Sequence, residues 1–241
     1  VNNCKYCGYK RDNHFPRKKL TQTQIKEQAI NLEKLGHKRL ALELGEHPVE
    51  TPIEYVLESI KTIYDHSSIR RINVNIAATS VEEYRQLKEV GIGTYILFQE
   101  TYDYDAFKKE HPKSVKGDYE YHLHAFDRAF EAGIDDVGAG VLFGLADWKF
   151  EVLSLIIHNE YLEEKYGVGF HTISVPRLKK AEGMRLDEYP HIISDEQFRR
   201  LVTILRLSVP YVGIILSTRE NKEMREILID HGVSQVSAGS K

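Results

Sequence analysis

A parallel α/β barrel, one strand short of eight, is the fold this chain predicts, and three observations predict it. Short runs rich in Val, Ile, Leu, Tyr and Phe alternate from residue 39 onward with longer stretches of helical periodicity. Seven such runs occur, each followed or preceded by a helix-sized connector, and that alternation means parallel strands joined by crossovers. The N-terminal segment enters a helical stretch with no strand run before it, so a further strand is expected upstream of Val1. A doubly wound open sheet stands as the alternative, because periodicity does not distinguish a closed sheet from an open one. In a barrel the active site is expected at the C-terminal ends of the strands.

Each element has its own signal. Thr21 and Gln24 form a capping-box pattern that opens the first helix, and the first strand run covers 39–44. Thr51-Pro52-Ile53-Glu54 combines an N-cap, a first-turn proline and a capping-box glutamate, followed by the apolar face Ile53, Val56, Leu57 and Ile60. The second run is 70–75, and Ser80 with Glu83 opens the helix leading to the third run, 94–99. Runs at 137–143 and 171–175 follow. Ser194 with Gln197 then starts a helix with Phe198, Leu201, Val202 and Leu205 on one face. The last runs are 212–217 and 233–237. Gly36, Gly91, Gly133, Gly167 and Gly232 stand where the helices are expected to stop.

The 241 residues are read as one domain spanning 1–241, with 41% hydrophobic residues, enough to build a core. Thirty-three Lys+Arg against 36 Asp+Glu give a formal charge of −3, which argues against a nucleic-acid binder that works by neutralising phosphates. Arg17-Lys18-Lys19 is a single short basic run, read as a solvated approach to a helix. No apolar run reaches the roughly 20 residues that cross a bilayer. Two cysteines, Cys4 and Cys7, cannot build a disulfide scaffold, so a cytoplasmic location is expected. The first residue is Val1 rather than methionine and the last five are Ser237-Ala238-Gly239-Ser240-Lys241, so a fragment of a longer protein is expected.

Cys4-Lys5-Tyr6-Cys7-Gly8 is a C-x2-C pair with an aromatic between the thiols. The spacing alone is compatible with a zinc knuckle, a redox dithiol or part of an iron–sulfur ligand set. A structural zinc site wants a second Cys/His pair, and the chain has no other cysteine. A non-catalytic zinc-binding α/β barrel is the rival from another class.

Val1-Asn2-Asn3-Cys4-Lys5-Tyr6-Cys7-Gly8 resembles the latter part of the C-x3-C-x2-C loop of radical S-adenosylmethionine (SAM) enzymes, with the first cysteine falling just before Val1. The resemblance runs along the chain through Tyr95-Ile96-Leu97-Phe98-Gln99-Glu100-Thr101-Tyr102, the glycine-containing stretch at 133–145, His171-Thr172-Ile173-Ser174-Val175-Pro176-Arg177, Ser217-Thr218-Arg219-Glu220 and Ser237-Ala238-Gly239-Ser240. Within the superfamily these stretches are similar to the tyrosine lyases. The segment at 171–177 favours the lyase that matures FeFe-hydrogenases over the one of thiamine biosynthesis.

The resemblance implies a (β/α)8 barrel of TIM type with its first strand and a C-terminal domain outside this sequence. It implies a four-iron, four-sulfur cluster held by Cys4, Cys7 and a third cysteine upstream, with SAM on the open iron. Tyr6 would lie beside the adenine. Gly45 and Glu46 would receive the SAM amino group, through backbone oxygens because Leu44 replaces the family's first glycine there. Asn75 belongs to a polar row with Asn73 that would face the barrel interior and need partners. Glu100 would contact the ribose hydroxyls or the methionine portion, and Gly138, Gly140 and Val141 would lie against the adenine. His122 and Arg128 would pair with the SAM carboxylate. Arg219, with Ser240 nearby, would clamp the carboxylate of L-tyrosine, and His171 would hold an extra iron beside an auxiliary iron–sulfur cluster in the missing domain. The implied reaction cleaves the tyrosine Cα–Cβ bond to p-cresol and dehydroglycine, the latter yielding carbon monoxide and cyanide for hydrogenase cluster assembly, with other FeFe-hydrogenase maturases as partners. The fragment by itself is expected to bind a cluster poorly and to be inactive.

Overall fold

The computed structural model describes residues 2–14 and 16–237. After α1 (Gln22–Lys34), strands and helices alternate: β1 (Arg39–Glu43), α2 (Ile53–His66), β2 (Arg71–Asn75), α3 (Val81–Glu89) and β3 (Tyr95–Glu100). The link to the next strand is broken into α4 (Tyr104–Glu110), a 3-10 turn (Val115–Gly117), α5 (Tyr119–Leu123) and α6 (Ala125–Glu131). Then come β4 (Val137–Val141), α7 (Trp148–Tyr166), β5 (Thr172–Ser174), α8 (Asp195–Ser208), β6 (Gly213–Ser217), α9 (Lys222–Asp230) and β7 (Gln235–Ser237).

All seven strands are parallel and lie in chain order from β1 to β7. A doubly wound sheet reverses its strand order at a switch point, and this one does not. The result is a curled half-barrel, open between β1 and β7 among the described residues. The strands are shorter than the expected runs by one or two residues at most ends. Phe143, expected inside β4, makes only an isolated bridge to Arg177.

The two faces of the sheet differ in kind. Ile72 and Val74, Tyr95 and Leu97, Val137, Ala139 and Val141, Ile173, and Ile214 and Leu216 join the main apolar core with the helices. Their alternates form the concave face, which mixes polar residues and glycines (Arg71, Asn73 and Asn75 on β2, Gly138 and Gly140 on β4, Thr172 and Ser174 on β5) with the apolar Ile96 and Phe98 on β3 and Ile215 on β6. A barrel of this size is ordinarily filled by layers of branched apolar side chains, so the polar and glycine positions mark an interior reserved for ligands. Asn73 finds the partners its position requires, its Oδ1 accepting from the Thr94 amide (3.2 Å) and Arg71 Nε (3.3 Å).

The helix starts at Thr21, Ser80 and Ser194 carry complete capping boxes, as their sequences require. Gly167 caps α7 in the left-handed conformation at φ 76°, which a residue with a Cβ adopts only at a cost. One expected cap differs. Pro52, not Thr51, occupies the N-cap of α2, and Thr51 Oγ donates instead to the carbonyls of Gly45 (2.9 Å) and His47 (3.1 Å). The hydroxyl thereby holds the turn that carries Gly45 and Glu46. No described helix is long and apolar enough to cross a membrane.

Candidate functional site

The cysteine loop folds back on itself and docks against the C-terminal end of the sheet. The Cys7 amide donates to the Cys4 carbonyl (3.1 Å), the Lys10 amide to the Cys7 carbonyl (3.1 Å) and the Lys5 amide to the Glu110 carbonyl at the end of α4 (3.0 Å). Both thiols are free, Cys4 buried and Cys7 half-buried. Burial pushes the Cys4 thiol up to about 11 and raises Cys7 as well, so both are protonated at neutral pH without a metal. A bound metal reverses that balance by its own charge. No group of three His, Cys, Asp or Glu side chains that could hold a metal exists among the described residues. Two soft sulfur donors four residues into the chain and three apart are chemically compatible with iron–sulfur ligation.

Tyr6, between the thiols, is held by an uncommon arrangement. His111 Nδ1 lies 2.7 Å from the Phe107 carbonyl, which can only accept, so Nδ1 carries the proton and Nε2 accepts from the Tyr6 hydroxyl at 2.9 Å. Burial lowers His111 to about 4, which keeps the imidazole neutral in that role. Leu142, Leu145, Leu178 and Met184 form a separate small apolar cluster against which Tyr6 packs. Asn13 and Lys10 bond the carbonyls of Glu182 (2.9 Å) and Gly183 (2.7 Å), tying the loop to the segment after β5.

Glu100 ends β3 with φ at +67°, one of two non-glycine residues with positive φ among those described. Its Oε1 accepts from Lys116 Nζ at 2.6 Å, both side chains largely buried. Glu46 accepts from the Asn2 side chain, whose Oδ1 accepts from Ser114 Oγ at 2.6 Å. The turn after β1, the cysteine loop and the segment before α5 are thus joined in one hydrogen-bonded chain.

Three contiguous cavities run across this end of the sheet. One of about 480 Å³ has Tyr6, Cys7, Glu100 and Arg219 on its walls. A second, about 180 Å³, shares Glu100 with the first and adds Glu46, Asn75, Lys116 and His122. The third, about 320 Å³, lies over Gly45 and Glu46. Nine of the expected residues therefore meet at one mouth: Cys4 and Cys7 in the loop, and Tyr6, Gly45, Glu46, Asn75, Glu100, His122 and Arg219 on cavity walls.

The others lie elsewhere or are engaged differently. Arg128 donates from Nε to the Thr79 carbonyl (2.9 Å), from Nη1 to His124 O (3.1 Å) and from Nη2 to Tyr121 O (2.7 Å), with Tyr121 stacked on its guanidinium. It ties α6 to the neighbouring segments and lines none of the three cavities. His122 does line one, and its Nε2 donates to the Phe98 carbonyl at 2.8 Å. Burial lowers it to about 3, so it is a neutral imidazole rather than a cation. Val141 turns its side chain into the core between sheet and helices. Gly140 and Gly138 do face inward, and what their missing Cβ atoms make room for are the Phe98 ring (2.7 Å) and Thr172 Oγ1 (2.5 Å). His171 is exposed at the start of β5, the opposite end of the sheet from the cysteine loop. Ser240 lies outside the described residues.

Several side chains that shape the mouth went unnoticed in the sequence. Lys116 and His111 sit in a polar connector with no periodic signal. Glu220, next to Arg219, receives Arg177 Nε (2.8 Å) and Nη2 (2.6 Å) in a buried two-point pair, and Asp195 takes Arg177 Nη1 at 2.6 Å. Arg177 and Glu220 stand in the stretches 171–177 and 217–220 that carry the resemblance, and no local pattern marks either as the partner of the other.

The Radical SAM superfamily model matches residues 1–153, and the Biotin and Thiamin Synthesis associated domain matches 174–241. The chain is 56% identical to the protein solved as HydG, a maturase of the [FeFe]-hydrogenase, with a TM-score of 0.97 over all of this chain and 54% of that one. The FeFe-hydrogenase maturase HydG from Carboxydothermus hydrogenoformans matches at 43% identity and a TM-score of 0.92, over 100% of this chain and 56% of that one. The 2-iminoacetate synthase of Salmonella typhimurium is 31% identical across the whole chain, which spans 63% of that relative's length.

Proposed function

The chain belongs to the radical SAM superfamily, and on that premise we propose that it is the barrel of a tyrosine lyase that serves FeFe-hydrogenase maturation. A radical SAM domain implies a four-iron, four-sulfur cluster and SAM. Cys4 and Cys7 would hold two of the irons, with the third thiolate supplied from upstream of Val1. When bound, cluster and SAM supply a one-electron reduction and hydrogen-atom abstraction, chemistry that side chains cannot perform.

The chain's own residues bind and orient. Glu100 would accept the cofactor's hydroxyl or amino donors, Gly45 and Glu46 its amino group, and Tyr6, held by His111, would flank the base. Arg219 would pair with the carboxylate of L-tyrosine in the cavity it shares with Cys7 and Glu100. That shared cavity is the observation that carries the reading. A thiol, a carboxylate and a guanidinium on the walls of one space match a cluster, a cofactor and an amino-acid substrate.

The products would be p-cresol and dehydroglycine. Dehydroglycine would give carbon monoxide and cyanide at an auxiliary iron–sulfur cluster in a further domain, with His171 offering an imidazole to an extra iron from the far end of the sheet. Residues 1–241 would act as one domain, in the cytoplasm, alongside other FeFe-hydrogenase maturases. A second reading, a lyase that supplies dehydroglycine for thiamine thiazole synthesis, draws support from the 2-iminoacetate synthase similarity.

The test is product analysis of the full-length protein, reconstituted anaerobically with iron and sulfide. Tyrosine and SAM should yield p-cresol together with carbon monoxide and cyanide. Release of p-cresol alone would favour the thiamine reading, and SAM cleavage without p-cresol would refute both. Arg219→Ala should lose tyrosine affinity and still cleave SAM slowly.

A further inference from the structure

Glu100 occupies a backbone conformation that nothing in its own chemistry favours. Phe98 pairs with Gly140 and Glu100 with Val141, so two residues of β3 oppose one of β4 in a bulge. The Thr101 amide donates to the Gln99 carbonyl at 2.9 Å, closing a three-residue turn about Glu100 at φ +67°. Turns of this kind are strained, and such strain persists only where the surroundings over-determine it. A bulge of this sort re-aims a side chain: Val141, the residue opposite, faces the helices, whereas Glu100 reaches the mouth and Lys116.

What over-determines it comes from α7. Glu151, in the first turn of that helix, is fully buried, and its carboxylate grips the turn at two points. Thr101 Oγ1 donates to Oε1, and the Tyr102 amide donates to Oε2 at 2.9 Å. Thr101 Oγ1 in turn accepts from the Asp103 amide at 3.1 Å, and Tyr119 donates to the Tyr102 carbonyl at 2.7 Å. On the other side the Glu100 carbonyl accepts from the Leu142 amide at 2.9 Å. Glu151 lines none of the cavities at the mouth. A buried carboxylate is costly to keep, and here two donors from the residues next to Glu100 satisfy it.

We infer that Glu151 is a positioning residue: by clamping Thr101 and Tyr102 it holds the strained turn that presents Glu100 to the cofactor. The inference rests on the reading of Glu100 as a SAM contact, and the experiment separates the two. Glu151→Gln keeps the size of the side chain but can accept at only one of the two points. Thr101→Val is the second variant, for the case in which Glu151→Gln folds poorly: it removes the hydroxyl donor to Glu151, together with the acceptor of the Asp103 amide, and leaves the Tyr102 amide bond to Glu151 in place.

In the full-length, cluster-reconstituted protein, two quantities are read without turnover: the SAM dissociation constant, and hydrogen exchange of the 100–102 amides in the SAM-free state. Glu151→Gln should raise the dissociation constant roughly tenfold with iron content unchanged, within the usual range of coupling between linked sites. It should also speed exchange at Thr101 and Tyr102, and Thr101→Val should do both to a smaller degree. Glu100→Gln combined with Glu151→Gln should bind SAM no more weakly than Glu100→Gln alone, because one acts through the other. Additive losses, or unchanged SAM affinity and exchange with only a lower melting temperature, would overturn the inference. Should Glu100→Gln leave SAM affinity unchanged, the reading of Glu100 fails. The positioning role is then decided by exchange alone: faster in Glu151→Gln supports it, unchanged refutes it.

Discussion

Every residue of β4 is buried, whereas β1 alternates exposed and half-buried positions and all three residues of β7 are exposed. The same contrast separates the parts of the mouth. Glu100, beside β4, is fixed by a bulge, an ion pair and a buried carboxylate behind it. Glu46, after β1, is held by one asparagine side chain, and Arg219, after β6, is exposed and contacts Ser217 Oγ at 3.3 Å through its Nε. Precision is concentrated at the centre of the sheet, where packing is dense enough to enforce strain, and the flanks carry groups free to adjust to a ligand.

The largest effect should come from the brace that joins β5 to β6. Arg177→Ala leaves Glu220 buried beside Lys179 (3.2 Å) alone. It should cost about 3 kcal/mol of stability, the lower end for a broken buried pair. Denaturant titration checks this, and a loss as small as that of a surface pair would place the brace with the adjustable flanks. Next comes Gly140→Ala, whose Cβ would stand 2.7 Å from the Phe98 ring; overpacking at the centre should cost about 1–3 kcal/mol. The parallel change Ala41→Ser on the exposed face of β1 should stay within about 0.5 kcal/mol, and equal costs at both positions would erase the contrast.

Acid should find the centre before the edges. His158 is buried among Phe126, Phe170 and Tyr102 and hydrogen-bonded to the Tyr102 hydroxyl at 2.8 Å, and burial lowers it to about 4. In the unfolded chain it titrates near 6.5. A depressed folded value means its contribution is complete above about 6.5 and is lost as pH falls toward 4, because only the unfolded state gains the proton. The melting temperature should decline over that interval, and His158→Phe should flatten the decline. An unaltered slope in the variant would assign the acid lability elsewhere.

Much of this architecture was legible in the sequence. Seven apolar runs, capping boxes at Thr21, Ser80 and Ser194, and glycines after helices are local signals, and local signals survive folding. That Cys7, Glu100 and Arg219 stand at one end of the sheet was legible through motifs, the first in the N-terminal loop and the other two at or just after strand ends. Contacts made across the chain were not. Lys116 reaches Glu100 from a connector without periodicity, and Glu151 reads in sequence as an ordinary first-turn acid of α7. Thr51 was displaced from its expected cap because Pro52 took that position and the hydroxyl found better acceptors in Gly45 and His47. Arg128 has the charge a carboxylate ligand would want, but three carbonyls engage it.

On the proposed function the two thiols and Glu100 would serve one mouth in separate roles, cluster ligation and cofactor contact. Iron and sulfide content, measured together with SAM binding in the reconstituted full-length protein, tests it most directly. Cys4→Ala and Cys7→Ala should each abolish the cluster, while Glu100→Gln should keep the cluster and lose SAM. A cluster that persists without either thiol, or SAM binding indifferent to Glu100, would contradict the account.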